Sequence, residues 1–589
     1  MNAFFASVAE HVSVAERFLT SDRGEKIAAF FITAISAYLL TCNLDYASLW
    51  HDEGVNAIIA RGLAEGRGFS GWDGRNLFFG AFIGTGINEN LNIVSYPPWP
   101  AMISSVGVFL FGDSEFAVRF PHALLGALSL PLMYALLQMF FPSARLRLFA
   151  FALFALSPVV ILYSRQGRYY ADAIFFALLC FYCYQKYREN GNVRWAAGLA
   201  VGTVLGFLNH FAIGFCMALS LALWHLILYW RETSRQQWLV FAGAGAFSAA
   251  ACGGYVLLFL SGGGLEFDSS VYQTSWIERH ATLLYYYFRD MILFGWLPLW
   301  AVLWWLWRGG HALWSKINTG KKKRKKAARQ PPPDNAIWHW VLMAFLLIMT
   351  SALVSVQPVH NTQFADMRYM VMALPFLIFM SAACADRLWQ INRIAGAALL
   401  SLMFIGNWAG HPWRIEKLSI PAVIRVLSGG NWAGYPTFTR ERLTMPALVG
   451  EIHAPYYSAV EEAVTYLNKH ASQDETIYAN PWQDYVMLLY YLSDKLIFCC
   501  GLSEQSQVPH EKVRSLGVPL YADDVRPDWV VLFPWGPNKI RETPPDYEKV
   551  YEGKAYAYPA QRPEIEWHSF RALRGKPSIV IYRRMNNDN

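Results

Sequence analysis

Eleven runs of mostly apolar residues recur along the first 410 positions, near 27–44, 120–141, 148–164, 171–187, 195–210, 211–230, 239–260, 283–307, 338–356, 369–385 and 394–410. About 20 such residues in a helix cross the roughly 30 Å hydrocarbon layer of a bilayer. Within that layer a chain must satisfy its backbone hydrogen bonds internally, which leaves helices and closed barrels. This pattern therefore commits residues 1–410 to a polytopic helical membrane body. Charge agrees: 16% of the 589 residues are charged and 54% are hydrophobic, whereas a soluble chain carries about 25% charge. A shorter apolar piece, 97–111, predicts an interfacial or re-entrant segment, and 195–230 also fits one long helix plus a re-entrant piece.

Lysine and arginine in short loops set orientation. Alternate loops hold Arg145 and Arg147; Lys186, Arg188 and Arg194; Arg231 and Arg235; Arg308, Lys316 and the run KKKRKKAAR (321–329); and Arg387 and Arg393. The intervening loops hold few: Arg165 and Arg168 in one, Arg279 in another, Arg368 in a third. With the first set cytoplasmic, residues 45–119 form a large outside loop. After eleven spans, residues 411–589 also lie outside. The net charge of +7 is concentrated in the 321–329 run, which lies between apolar spans and beside PPP. It reads as a loop signal, and no nucleic-acid partner is expected.

Residues 411–589 change character. YYSAVEEAVTYLNKHA (456–471) has helical spacing, while TIYAN (476–480), KLIFCC (495–500), DWVVLFP (528–534) and SIVIYRR (578–584) read as strands. Helices between strands predict a small α/β domain with a partly parallel sheet. No glycine-rich phosphate loop follows any strand, so the domain is expected to dock or to face an acceptor rather than to bind a nucleotide. The eight cysteines form neither a disulfide framework nor the two CxxC motifs of a structural zinc site, and residues 1–26 lack the order of a cleavable leader.

Four clusters could carry chemistry. In SLWHDEGVNA (48–57), the adjacent acids Asp52 and Glu53 follow the first span. Asp52 fits an N-cap for a helix running through EGVNAIIARGLAEG, and it equally fits a general base at the outer surface; the two can coexist. In YSRQGRYYADA (163–173), Arg165 and Arg168 are three apart, a spacing that one helical turn brings to one side. Paired guanidiniums suit a phosphate, although headgroup snorkelling explains arginines there too. Asp172 is spaced to pair with Arg168. In VHNTQFADMRYMVMALPF (359–376), Arg368 and Tyr369 begin a span, with His360 nearby. VSYPPWPAM (94–102) presents Tyr96 in a proline-stiffened turn, and the glycine-rich loop 68–92 could cover a site.

In this order, HDEG (51–54), YPPWP (96–100), LFGDSEFAVRFPHALLGALSLPLMYAL (110–136), LSPVVILYSRQGRYYADAIFFALL (156–179) and MRYMVMALPF (367–376) resemble the GT-C membrane glycosyltransferases. Nearest are the protein O-mannosyltransferases and the bacterial aminoarabinose and arabinosyl transferases. The resemblance implies a polyprenyl-phosphate-linked sugar donor, an inverting transfer on the periplasmic face of the inner membrane, and Asp52 as catalytic base with Glu53 in support. It implies donor-phosphate arginines, for which Arg165, Arg168 and Arg368 are candidates and Arg61 a weaker one. His51, Tyr96, Tyr369 and His360 are further substrate contacts in this reading. Where the aminoarabinose branch often has Lys before its prolines, this chain has Tyr96. No WWDYG string occurs in 411–589, unlike the oligosaccharyltransferases. No obligatory cofactor or metal is implied, and the acceptor is an envelope glycan, a glycolipid or a protein. The competing class is a transporter or flippase of lipid-linked glycans, which favours mid-span charges and internal pseudo-symmetry; neither is evident.

Overall fold

The computed structural model describes residues 16–78, 90–93, 96–257, 276–293, 301–306, 334–355, 367–405, 445–454, 457–480, 485–499, 514–519, 526–533, 546–553 and 579–585. His360 and the basic run 321–329 lie outside these residues.

The first helix, α1 (Asp22–Thr41), starts at Ser21, whose hydroxyl accepts the Gly24 N–H, and leaves the apolar layer near Cys42. Helix α2 (His51–Ala64) carries the HDEG motif, and α3 (Pro98–Phe111) begins on a proline where no N–H is required. Helix α4 (Glu115–Phe140) is followed by α5 (Ala144–Ala155) and α6 (Pro158–Ser164), which meet at 48°. The bend has a local cause: Pro158 opens α6 while the Ser157 hydroxyl accepts the Val160 N–H. Helices α7 (Tyr170–Asn190), α8 (Val193–Asn209), α9 (Phe211–Tyr229) and α10 (Arg235–Tyr255) follow. After them come α11 (Trp276–Leu293), α12 (Asp334–Val354), a 3-10 segment (Met367–Ala373) running into α13 (Leu374–Ile391), and α14 (Arg393–Ile405).

The protein is therefore a mostly helical membrane protein. Among the described residues six helices are long and apolar enough to cross a bilayer, or seven if the bent α5–α6 pair is one span. Several other expected spans are present as shorter or more polar helices, such as α7 and α8. The piece at 97–111 is a short helix, α3. At the bundle end where the basic loops cluster, the arginines are tied down by acids. Arg147 pairs with buried Glu25, and Arg145 bridges Asp386 at 2.6 Å and Glu16 at 2.7 Å.

The C-terminal region holds α15 (Met445–His453), α16 (Ala459–His470), β1 (Thr476–Asn480), α17 (Tyr485–Leu492), β2 (Ile497–Phe498), β3 (Trp529–Leu532), β4 (Tyr547–Glu552) and β5 (Val580–Arg584). The sheet order is β2-β1-β3-β5-β4, with β1 parallel to both neighbours and β5 antiparallel to β3 and β4. It is the partly parallel sheet that the strand and helix spacing predicts, with β4, α15 and α17 as elements that the spacing did not reveal. Helix α16 is set by a reciprocal cap: Ser458 Oγ accepts the Glu461 N–H at 3.1 Å, and Glu461 Oε2 accepts the Ser458 N–H at 2.7 Å. It buries Val460, Ala463 and Leu467 on one face.

This domain is stitched to the loop between α2 and α3. Asn76 is buried and donates to the Ser493 and Leu496 carbonyls at 3.1 and 3.2 Å, while its Oδ1 accepts the Phe498 N–H at 2.8 Å. It thereby extends the short strand β2 with a side chain. Helix α17 lies directly on α2. A Cβ at Gly54 would sit 3.3 Å from Val486 Cγ1 and 3.7 Å from the Met487 Cα, so glycine allows the approach.

A candidate active site at one end of the bundle

The ends of α1 and α6 and the starts of α2, α7, α9 and the 3-10 segment meet at one end of the bundle. A salt-bridged pair forms the floor. Arg119 Nε donates to Glu53 Oε1 at 2.9 Å and Nη2 to Oε2 at 2.7 Å; the pair is fully buried. Arg119 also donates to the carbonyls of Leu44, Ala47 and Ser48, and so holds the turn leading into α2. Glu53 accepts the Gly167 N–H at 2.7 Å. The Trp50 indole donates to Gln166 Oε1 at 2.8 Å and Asn56 to the Gly167 carbonyl at 2.8 Å. The loop 165–169 is thus laced to α2 by three consecutive contacts.

Glycine is required at 167 by space. A Cβ there would lie 2.6 Å from Val118 Cγ1, and Val118 is rigidly held in α4. Gly167→Ala is expected to cost about 1–3 kcal/mol through overpacking and to lower activity by moving Arg168. Melting temperature in detergent and turnover by the purified protein check both.

Above this floor sits Asp52. Its Oδ2 accepts from Arg368 Nη1 at 2.8 Å and from Arg168 Nη2 at 3.3 Å. The three side chains are 17%, 20% and 13% exposed, against 0% for Glu53. That difference decides which acid can meet a substrate. Arg168 lies over the rings of Tyr96 (5.1 Å) and Tyr169 (5.2 Å), and Arg368 over Tyr369 (5.3 Å). His210 completes the wall, 4.5 Å from the Tyr169 ring and 5.3 Å from Tyr369. The result is a carboxylate and two guanidiniums, partly open, rimmed by aromatic faces. Such a set can accept a proton and hold an anion.

His210 caps α9 by accepting the Ile213 N–H at 3.4 Å.

Several sequence-based expectations are corrected. Arg165 is fully buried and faces away from Arg168: it donates to the carbonyls of Leu39, Cys42 and Asn43 at 2.7, 2.8 and 2.8 Å, closing the end of α1. The helical-turn spacing fails because α6 stops at Ser164 and Arg168 lies in the loop. Arg61 is also outside the cluster. It bonds Asp113 at 2.6 Å, donates to the Tyr490 carbonyl at 2.5 Å and stacks on the Tyr490 ring, stapling α2 to the C-terminal domain. Glu53 is structural support beneath the site, not a group facing an acceptor. Asp52 is not the N-cap, since α2 starts at His51 with Trp50 before it. Asp172 pairs with His122 at 2.9 Å, not with Arg168; His122 Nε2 lies 2.9 Å from Ser104 Oγ, which accepts from Asn56 at 2.8 Å. All four are buried and brace α2, α3, α4 and α7 together. Arg168, Arg368, Tyr96 and Tyr369 are brought to Asp52, and His51 is half-buried beside it at the first turn of α2. Arg119 and Tyr169 lie within the motifs at 110–136 and 163–173 but were not singled out, and His210 lies in no motif; only its position at a span end, where the sequence places so few polar groups, could have marked it.

Residues 95–252 match the sequence profile of the family described as dolichyl-phosphate-mannose-protein mannosyltransferase. The chain is 26% identical over 199 residues to the mannosyltransferase candidate YkcB of Bacillus subtilis, covering 33% of this chain and 26% of that one. It is 30% identical over 134 residues to an uncharacterized protein of Aquifex aeolicus, covering 22% and 26%. The matched stretch thus spans about a quarter of these relatives' length. Among solved structures, ArnT from Cupriavidus metallidurans in the apo state matches with a TM-score of 0.52 at 15% identity, over 86% of this chain and 92% of that one. The same protein bound to undecaprenyl phosphate matches with a TM-score of 0.53 at 16% identity, over 87% and 94%. At such identity the likeness establishes a shared fold.

Proposed function

We propose that this chain, which shares its fold with the ArnT structures, is a GT-C glycosyltransferase using a polyprenyl-phosphate-linked sugar on the periplasmic face of the inner membrane. The observation that carries the reading is Asp52 held between Arg168 and Arg368 at one end of the bundle. The ArnT structure with undecaprenyl phosphate supports a lipid phosphate as the donor's carrier.

In this reading Asp52 takes the proton of an acceptor hydroxyl or amine. The freed lone pair attacks the anomeric carbon from the face opposite the phosphate. The bond from that carbon to the phosphate oxygen breaks, its electrons pass to the departing lipid phosphate, and the anomeric centre inverts. Arg168 and Arg368 offset the charge growing on that phosphate. The aromatic wall of Tyr96, Tyr169, His210 and Tyr369 keeps water away, which strengthens both effects. The C-terminal domain lies on the same side, anchored to the site through α17, and faces the acceptor, which is an envelope glycan, a glycolipid or a protein.

The test is mass spectrometry of lipid-linked and envelope glycans in a deletion strain. Accumulation of a polyprenyl-phosphate sugar together with loss of that sugar from one envelope component supports the reading. Unchanged profiles of both would sink it.

A further inference from the structure

We infer that Arg188 and Gln185, at the end of the bundle opposite Asp52, form a site for the headgroup phosphate of an anionic membrane lipid. The inference is independent of the reaction proposed for Asp52.

Helix α7 links the two ends. It begins at Tyr170, two residues after Arg168, and Arg188 lies 18 residues further along it. At 1.5 Å per residue that is about 27 Å, close to the thickness of a hydrocarbon layer. Arg188 is thereby placed at the depth of the opposite headgroups. Its guanidinium carbon lies 3.4 Å from the centre of the Tyr229 ring in α9. It also reaches the hydroxyls of Tyr184 and Tyr229, and its charge acts on His225 and His339.

The rings around Arg188 are engaged with one another. Tyr184 Oη lies 2.6 Å from His225 Nδ1, His225 Nε2 lies 3.2 Å from Thr233 Oγ1, and Tyr229 Oη lies 3.1 Å from His339 Nδ1. The Trp224 indole donates to the His339 carbonyl at 2.9 Å, which ties α12 to α9. Two donors on α7 are not satisfied in this way. Arg188 Nη1 is buried without a hydrogen-bond partner, and so is Nε2 of Gln185, a side chain only 5% exposed. Three residues apart on one helix, these two side chains are neighbours.

Nor is the charge of Arg188 neutralised by an ion pair among the described residues. Glu189 pairs with Lys186 at 3.2 Å, and Glu232 is exposed to solvent. Arg119, Arg145, Arg147 and Arg165, by contrast, each hold a carboxylate or several carbonyls. A buried donor without a partner is costly, and a charged one more so. A phosphate answers both needs, with oxygens for the guanidinium fork and another for the Gln185 amide.

The neighbouring surface points to a lipid as the source of that phosphate. Leu226, Ile227 and Trp230 are exposed at the same end of α9, and Leu239 is exposed at the start of α10. Acyl chains can lie against these side chains while the headgroup stays at Arg188, and a tryptophan suits that boundary. A free phosphate gains nothing from them.

The experiment is native mass spectrometry of the full-length protein in detergent with added phosphatidylglycerol or phosphatidylcholine. Arg188→Gln is expected to weaken phosphatidylglycerol binding by about 3- to 10-fold, the scale of a lost charged hydrogen bond at a half-buried site. Gln185→Leu keeps the charge and is expected to weaken it by about 2- to 4-fold. Phosphatidylcholine, which has no net charge, is expected to bind all three proteins alike. Melting temperatures in lipid-free detergent report folding, and Gln185→Leu carries the test if Arg188→Gln does not fold. Equal phosphatidylglycerol affinity of wild type and every folded variant overturns the lipid site. Inorganic phosphate raising the melting temperature of wild type but not of Arg188→Gln, with no difference for the lipid, overturns the lipid and leaves a free anion as the occupant.

Discussion

Asp52→Asn is expected to lower sugar transfer by about 10²- to 10⁴-fold, the usual contribution of a positioned general base, with little change in melting temperature. The substitution keeps the shape of the side chain and its place in the first turn of α2, while replacing the basic carboxylate with an amide that cannot take the acceptor's proton. Asp52 does not cap the helix and its carboxylate is partly exposed, so the fold does not depend on it. Measuring transfer from a polyprenyl-phosphate sugar, alongside thermal unfolding, separates the two outcomes. Full activity in a folded Asp52→Asn protein would remove Asp52 from the chemistry.

The second large effect falls on stability. Arg119→Met is expected to cost about 3–5 kcal/mol, because it strands the Glu53 carboxylate without its counter-charge in a buried site. That is a large part of the roughly 5–15 kcal/mol by which domains are held together. The loss does not stop at one ion pair, since Arg119 also satisfies the carbonyls of Leu44, Ala47 and Ser48. Arg119→Lys is expected to recover little, because an ammonium cannot reproduce a planar fork serving two carboxylate oxygens and a run of carbonyls. Yield of folded protein and melting temperature read the effect. A melting temperature for Arg119→Met equal to wild type would mean that the floor of the site is not held by this pair.

These two acids illustrate what was legible in the sequence. Apolar run length gave the helical membrane body, and short apolar runs gave four of the five strands among the described residues, because both are local patterns that lipid and sheet impose directly. The motif HDEG marked the turn on which both acids sit, yet adjacency could not say which acid is left partly exposed. Only the burial of Glu53 by Arg119, which lies 66 residues further along the chain, makes that distinction. Arg165 and Arg168 failed for the same reason: three-residue spacing implies one side only if the helix continues, and it ends at Ser164. His210 escaped because a lone histidine between two apolar runs has no pattern; its role comes from tertiary neighbours.

The stitching of the C-terminal domain to α2 bears on when the site can exist during synthesis. The Leu49 N–H is satisfied by the Tyr491 hydroxyl across 442 residues of sequence, and Asn76 reaches β2 across 422. Contacts so remote in sequence form late. The spans are inserted first, while the turn that carries Asp52 waits for partners not yet translated. The ribosome must therefore have delivered most of the chain before this cluster acquires its final shape, and a nascent chain halted before α17 holds Asp52 without the brace that orients its helix.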